Sequence, residues 1–402
     1  MRRIYEGVLQ EHRDRYEQMA FVAGPRQVGK TTLSKACVAS SPYVKHFNWD
    51  SLGDRARILK GYSSLVEGLP IDAVVAEKPI IVLDEIHKYK NWKNYLKGFI
   101  DEYKGRLHIL VTGSAKLNIF RRGGDSLMGR YFLYQVHPLS VAECLRTTVP
   151  LECLSTPQAV EASLMQHLLE WGGFPEPFVK QDERFYHQWQ NLRQEQLFKE
   201  DIRALSQIQD LAQLELLAYH LKNQSGQLLN YSNLANKIRV SEPTIRRWIQ
   251  VLKSFYYCFQ VTPWSNNIPR SLLKEPKIYL YDWSIVEDEG QRIENFVASH
   301  LLKAVDLWTN LGFGKFGLYF LRDKEKREVD FLITKDMKPW VLIEVKKSEK
   351  ESLNKNLFLF QSQTEAPFAI QVAFDAPYVE CDFRTLTKPT IIPLASFLSQ
   401  LV

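Results

Sequence analysis

The residues best suited to chemistry lie near the start of the chain, in Gly24-Pro25-Arg26-Gln27-Val28-Gly29-Lys30-Thr31-Thr32. From Gly24 to Thr31 they match G-x-x-x-x-G-K-[ST] at every defined position. Glycines let the backbone close around phosphate oxygens, and successive N–H groups at a helix start face the anion. In such a loop Lys30 reaches the β- and γ-phosphates of a nucleotide, and the Thr31 hydroxyl ligates Mg²⁺. ATP and Mg²⁺ are therefore the expected cofactors. The flanks agree with this reading. Met19 to Ala23 is an apolar run of strand length, and Thr31 to Ala39 reads as a helix start. A glycine-bearing turn that matched by chance would lack that strand–helix context.

The second half of such a site is Pro79-Ile80-Ile81-Val82-Leu83-Asp84-Glu85, about fifty residues further on. A continuous apolar run suits a strand buried on both faces of a parallel sheet. Its two carboxylates must stand at the strand's end, since they could not be buried unpaired. Asp84 is expected in the Mg²⁺ shell, and Glu85 as the general base toward water. Leu107 to Thr112 is another buried strand, closing on Gly113-Ser114. A polar group there would lie between the two catalytic strand ends and could sense the γ-phosphate. Thr112 and Ser114 are the candidates, and a plain strand-ending turn is the alternative for each. Arg121 and Arg122 begin a basic stretch, and Arg130 abuts a fifth strand, Tyr131 to Val136. Arg130 could serve as a charge-stabilising finger in a neighbouring subunit's site, or be a surface arginine. The finger reading expects a homo-oligomer, with a ring as one form.

The bulk properties are compatible with this. A chain of 402 residues holds two to four domains. Its apolar and charged fractions are those of a soluble globular protein. A net charge of +6 is too mild to establish nucleic-acid binding by itself. The five cysteines form no C-x-x-C pair, so neither a disulfide framework nor a zinc site is expected. With no apolar run of membrane-spanning length, the expected place is a reducing cytoplasm, away from membranes.

Residues 4–18 read as a polar lead-in helix, 44–49 as a second strand, 52–69 as helical, and 91–103 as a helix. Taken together, Gly24–Thr31, Leu83-Asp84-Glu85, Thr112-Gly113-Ser114, and Leu127-Met128-Gly129-Arg130 to Pro138-Leu139-Ser140 resemble the AAA-type ATPases of bacteria and archaea. They are most similar to a subgroup with a long C-terminal region. The resemblance implies an α/β first domain, residues 1–145, with a five-stranded parallel sheet and helices on both faces.

Residues 146–210 read as a helical lid and linker containing the bend Trp171-Gly172-Gly173-Phe174-Pro175, a sequence often seen here in that subgroup. A long helix is expected over 181–205. Residues 211–262 read as a winged helix-turn-helix. Its third helix starts at Ser241-Glu242-Pro243, with Ile245, Trp248, Ile249 and Leu252 inward. Thr244, Arg246, Arg247 and Lys253 are left for DNA. An interdomain module with a solvated basic face is the alternative.

Residues 263–402 read as an α/β domain. Arg327 to Thr334 and Trp340 to Lys346 form a hairpin in which Thr334 opposite Trp340 sets Asp330 opposite Glu344. Opposed like charges are destabilising unless a cation sits between them. Asp330 and Glu344 would hold a divalent metal beside Lys346, and a solvated salt bridge is the alternative. The spacing Asp330…Glu344-x-Lys346 resembles the restriction-endonuclease-like, PD-(D/E)XK, nucleases. That resemblance adds Glu294 as a helical ligand. Val329 stands where that family often has proline.

Three functions follow as expectations. The first is an ATPase whose cycling drives DNA binding or remodelling, branched DNA included. The second is a nucleotide-dependent switch that binds protein partners through a degenerate nuclease-like domain. The third is a Mg²⁺-dependent endonuclease regulated by ATP.

Overall fold

A computed structural model describes the chain except for residues 114–126, 204–207, 209 and 266–274. The chain divides into two compact units, residues 1–137 with 147–149, and residues 138–146 with 150–402.

The first unit is built on five strands: β1 Met19–Ala23, β2 Val44–Asn48, β3 Ile80–Asp84, β4 His108–Gly113 and β5 Tyr131–Gln135. All pair in parallel, in the order β2-β3-β4-β1-β5. β1 and β3 are buried at every residue, which is why their sequences run apolar without alternation. The order inserts β4 between β3 and β1. The end of β4 therefore lies between the phosphate-loop strand and the acid-bearing strand. The expected lead-in helix, Ile4–Arg15, is not a solvated rod, because it buries Ile4, Tyr5, Val8, Leu9 and His12. The helix expected over 52–69 is two pieces, Leu52–Lys60 and Tyr62–Val66. The chain breaks at Gly61, whose φ of 113° no helix allows.

The second unit carries β6 Cys258–Pro263, β7 Lys277–Leu280, β8 Phe316–Arg322, β9 Glu328–Lys335, β10 Lys338–Lys346, β11 Phe368–Ala373 and β12 Thr390–Pro393. They form one mixed sheet in the order β12-β11-β10-β9-β8-β6-β7. The boundary expected between residues 262 and 263 therefore falls inside β6. The wing expected before residue 262 is β6, which forms a hairpin with β7 and also pairs with β8, so it is part of the larger sheet. The three helices read as helix-turn-helix, Leu211–Lys222, Tyr231–Ile238 and Glu242–Ser254, pack on that hairpin. Leu217, Leu221, Ile245, Trp248 and Leu252 share one buried cluster with Cys258, Ile278 and Leu280.

Two further expectations change. The long helix over 181–205 is an α-helix, Glu183–Glu195, continued by π-type turns from Gln196 to Ile202. Thr334 pairs with Pro339 instead of Trp340, because a one-residue bulge lies between Pro339 and Val341. The bulge leaves Trp340 against Trp308 and Phe316. Beyond it Ile343 faces Phe331, so Glu344 arrives beside Asp330 as the expected register requires.

The Gly172-Gly173 bend has a packing reason. Gly172 has φ +76°, and a Cβ on Gly173 would lie 2.5 Å from Trp283 and 2.8 Å from the Leu139 carbonyl. Trp283 in turn donates its indole N–H to the Leu168 carbonyl at 2.7 Å.

Candidate functional site

The phosphate loop leaves β1 at Gly24. A Cβ there would stand 2.4 Å from the Val136 carbonyl, so the backbone can pass this close only as glycine. Gly29 has φ +93° and caps the helix Lys30–Val38. The Lys30 ammonium is buried and donates to the Gly24 and Pro25 carbonyls at 3.0 and 2.8 Å. It therefore lies in the concavity where phosphate oxygens would meet the loop's N–H groups. Val28 is fully buried, and its carbonyl accepts from Arg3 at 2.9 Å. Arg3 also donates to the His137 carbonyl at 2.7 Å, so it fastens the loop from the chain's beginning. Sequence reasoning missed Arg3, for its partners are 25 and 134 residues away.

Asp84 ends β3 and is nearly fully buried. The Thr31 hydroxyl donates to its Oδ2 at 2.9 Å, and the Thr112 hydroxyl donates to its Oδ1. The two halves of the site thus meet across 53 residues of sequence. Thr112 has no exposed surface, so it positions Asp84 and does not reach outward as a sensor. Ser114, the other candidate, lies outside the described residues, as do Arg121 and Arg122.

Glu85 takes the left-handed conformation, φ 56°, with its N–H donating to the Thr112 carbonyl at 3.1 Å. A glutamate there is strained, and such strain is typical where a side chain must be aimed. Its carboxylate lies 3.6 Å from the His87 ring and 3.8 Å from the Lys88 ammonium. Burial, with Lys88 and Lys30 adding to it, pushes His87 down to about 4, so the imidazole beside Glu85 is neutral. The sequence reading passed over His87, though its place two residues after Glu85 was a usable signal.

A Mg²⁺ ion fits this donor set. One carboxylate and one hydroxyl side by side, next to a phosphate cradle, are the protein's usual share of its ligands. Thr31 and Asp84 would hold it.

Arg130 stands elsewhere. The β1–β5 register pairs Met19 with Tyr131 and Ala23 with Gln135, so Arg130 flanks the start of β1. The phosphate loop leaves the other end, about 17 Å away along a five-residue strand. Arg130 therefore cannot reach its own chain's loop, and its guanidinium holds Asp101 at 2.8 and 3.0 Å.

Of the four residues expected to meet DNA, three have local partners. Thr244 shares a 2.8 Å hydrogen bond with Ser241. Arg246 donates to Glu242 at 2.6 Å and lies 3.8 Å over the Tyr231 ring. Lys253 donates to Gln260 at 2.7 Å, while Arg247 is exposed.

The second carboxylate cluster gathers the residues expected there, with an unexpected lysine among them. Glu344 accepts from Lys346 and from Asn354, each at 2.8 Å. Asp330 accepts from the Val345 N–H at 2.9 Å. The unexpected lysine is Lys277 of β7, whose buried ammonium lies 2.7 Å from Glu328, 3.1 Å from Glu294 and 3.5 Å from Asp330. Tyr279, two residues on and so on the same face, donates to Glu294 at 2.6 Å. Among the described residues no three His, Cys, Asp or Glu side chains are arranged to hold a metal ion. At the expected divalent site of Asp330, Glu344 and Glu294, Lys277 thus already pairs with two of the three carboxylates, Glu294 and Asp330. The cation that opposed carboxylates require is supplied by the chain itself.

Comparison with known proteins finds three family matches along the chain. A model described as AAA domain matches residues 16–145. Two described as domains of unknown function, DUF8612 and DUF4143, match 162–288 and 289–385. An uncharacterized protein of Mycobacterium tuberculosis is 24% identical over 354 residues, covering 84% of this chain and 72% of that protein. An uncharacterized protein of Methanocaldococcus jannaschii is 24% identical over 399 residues, covering 86% and 80%. Among solved structures, a Walker-type ATPase of Pyrococcus abyssi is similar with a TM-score of 0.42 and 14% identity, over 70% of this chain and 93% of that one. AMPPCP-bound DnaA of Aquifex aeolicus is similar with a TM-score of 0.28 and 13% identity, over 61% and 86%. Residues 16–145 thus match the AAA domain model and carry a P-loop on a five-stranded parallel sheet, followed by two regions that match domains of unknown function.

Proposed function

We propose that this chain hydrolyses ATP at the loop Gly24–Thr32 and uses the cycle to change its grip on DNA. The observation that carries the first part is the Thr31–Asp84 hydrogen bond, which joins the two motifs at one point. Backbone N–H groups and Lys30 hold the phosphates and stabilise charge on the transferred group. Glu85 accepts the proton of the attacking water, aimed by its left-handed backbone and bounded by neutral His87. Mg²⁺, when bound at Thr31 and Asp84, supplies charge neutralisation at the phosphates. Arg130 completes the site of a neighbouring subunit in a homo-oligomer. The helix Glu242–Ser254 meets DNA, with Arg247 as its freest cation.

Steady-state ATP hydrolysis with single-stranded, duplex and branched DNA tests this. Stimulation by one form, lost in Arg247→Ala, supports the DNA reading. Normal turnover in Glu85→Gln would remove Glu85 as the base. Mixing Arg130→Ala with wild type should depress activity more than in proportion, and a strict monomer that hydrolyses ATP fully would contradict the shared site.

A second reading, a nucleotide-dependent switch toward protein partners, is favoured by the engagement of Arg246 with Glu242 and Tyr231. Hydrolysis indifferent to every DNA form would shift weight to it. Among the described residues no helix is long and apolar enough to cross a membrane, and the described cysteines are free.

A further inference from the structure

The carboxylate cluster on the sheet of the second unit, whose sequence spacing resembles a nuclease metal site, has a lysine from a distant strand within it. Glu294 comes from the helix Glu289–Asn310, Glu328 and Asp330 from β9, and Glu344 from β10. Lys277 reaches the first three from β7, at the far edge of the same sheet. Alternation along β7 explains its direction. Ile278 and Leu280 pack into the helical cluster, so Lys277 and Tyr279 point to the opposite face.

We propose that the Lys277 ammonium is the resident cation of this carboxylate face, so that the domain holds no divalent ion there and does not cleave nucleic acid. Three cations, Lys277, Arg322 and Lys346, face four carboxylates, Glu294, Glu328, Asp330 and Glu344. Their charges nearly balance, and a further double charge would reverse the sign of the cluster. Glu294 is also covered from above. A Cβ on Gly226 would lie 3.1 Å from each of its oxygens, so backbone occupies the approach on that side. Glu294 is engaged by Tyr279 and Lys277, and Asp330 by the Val345 N–H and Lys277. One atom favours the opposite view. Glu344 Oε2 is buried without a hydrogen-bond partner, as a metal ligand would be in the absence of its ion. It is a single atom, however, and the neighbouring Asp330 that would share an ion with it faces Lys277.

The test is Mn²⁺ binding to the full chain, followed by electron paramagnetic resonance in an Asp84→Asn background that removes the phosphate-loop carboxylate. The expected result is no ion whose binding depends on Asp330 or Glu344. Lys277→Gln leaves the carboxylates short of one positive charge and should tighten Mn²⁺ binding at least about tenfold. Tight binding by the Asp84→Asn chain that disappears on adding Asp330→Asn or Glu344→Gln would overturn the proposal. So would a folded Lys277→Gln chain that binds no more Mn²⁺ than its parent. Should Lys277→Gln fail to fold, the titration with Lys277 in place decides alone. That readout is independent of ATP hydrolysis, so it stands whether or not the ATPase reading does.

Discussion

Asp84 and Asp330 make an instructive pair. Both stand in strands rich in buried apolar residues, and each lies beside a residue expected near it, Thr31 and Glu344. Their immediate partners differ. Asp84 accepts from two neutral hydroxyls, Thr31 and Thr112, so its position is fixed without its charge being cancelled by them. Asp330 faces an ammonium, Lys277, that also holds Glu294 and Glu328. Fixing a carboxylate with hydroxyls leaves it able to take a cation. Fixing it with a lysine satisfies it. The two arrangements are hard to distinguish by motif, and the difference lies in one residue from a distant strand.

This contrast can be broken most forcefully at two buried lysines, Lys277 and Lys30. Lys277→Met leaves three carboxylates without their common cation, and should destabilise the second unit by about 3–5 kcal/mol. Faster amide exchange along β9 and β10 would register it. Lys30→Met should leave exchange in the first unit nearly unchanged while nucleotide binding is lost. Equal destabilisation by both substitutions would erase the distinction.

A smaller effect is expected at Arg3, which fastens the phosphate loop without touching nucleotide. Charged hydrogen bonds of this kind contribute about 1.5–3 kcal/mol, so Arg3→Ala should raise KM for ATP roughly tenfold or more. The change in kcat should be smaller. An unaltered KM would show that the loop holds its shape without the clamp.

A further effect concerns pH. His300 accepts from the Val141 N–H at 3.1 Å and contacts the Phe296 carbonyl through Nδ1 at 2.7 Å, as a neutral ring. Burial pushes it down from 6.5 to about 3. The unfolded chain therefore binds the proton more readily, and the stability tied to this group is full above 6.5. It falls as pH drops toward 3, by up to about 1.4 kcal/mol per unit. Urea unfolding of the second unit between pH 7 and 5 should show that slope, reduced in His300→Gln. A flat profile in the wild type would contradict the burial argument.

The legible parts of the molecule were those in which local pattern and chemistry coincide. The phosphate loop, the apolar run ending in Asp84-Glu85 and the buried Leu107–Thr112 strand each carry their role in a few consecutive residues. The helix starting at Ser241 was readable for the same reason: Ser241 accepts from the Thr244 N–H, as an N-cap should. The hairpin register from Val341 onward was also recoverable, because alternation fixes it. What escaped depends on contacts between distant segments. Arg3 meets a loop carbonyl 25 residues on, and Lys277 meets Asp330 across 53. β8 was missed as a strand, and the bulge at Trp340 is set by packing against Trp308 and Phe316. Arg130 was placed correctly in sequence, before the fifth strand. Only the strand order shows that this is the end away from its own phosphate loop.

The most direct measurement is phosphate release from Mg²⁺–ATP by wild type, Asp84→Asn and Asp330→Asn, run side by side. The account predicts turnover in the wild type, a loss of about a hundredfold or more in Asp84→Asn, and a rate within about twofold of wild type in Asp330→Asn. Wild-type turnover in Asp84→Asn, or an equal loss in Asp330→Asn, would contradict the claim that only the first carboxylate serves chemistry.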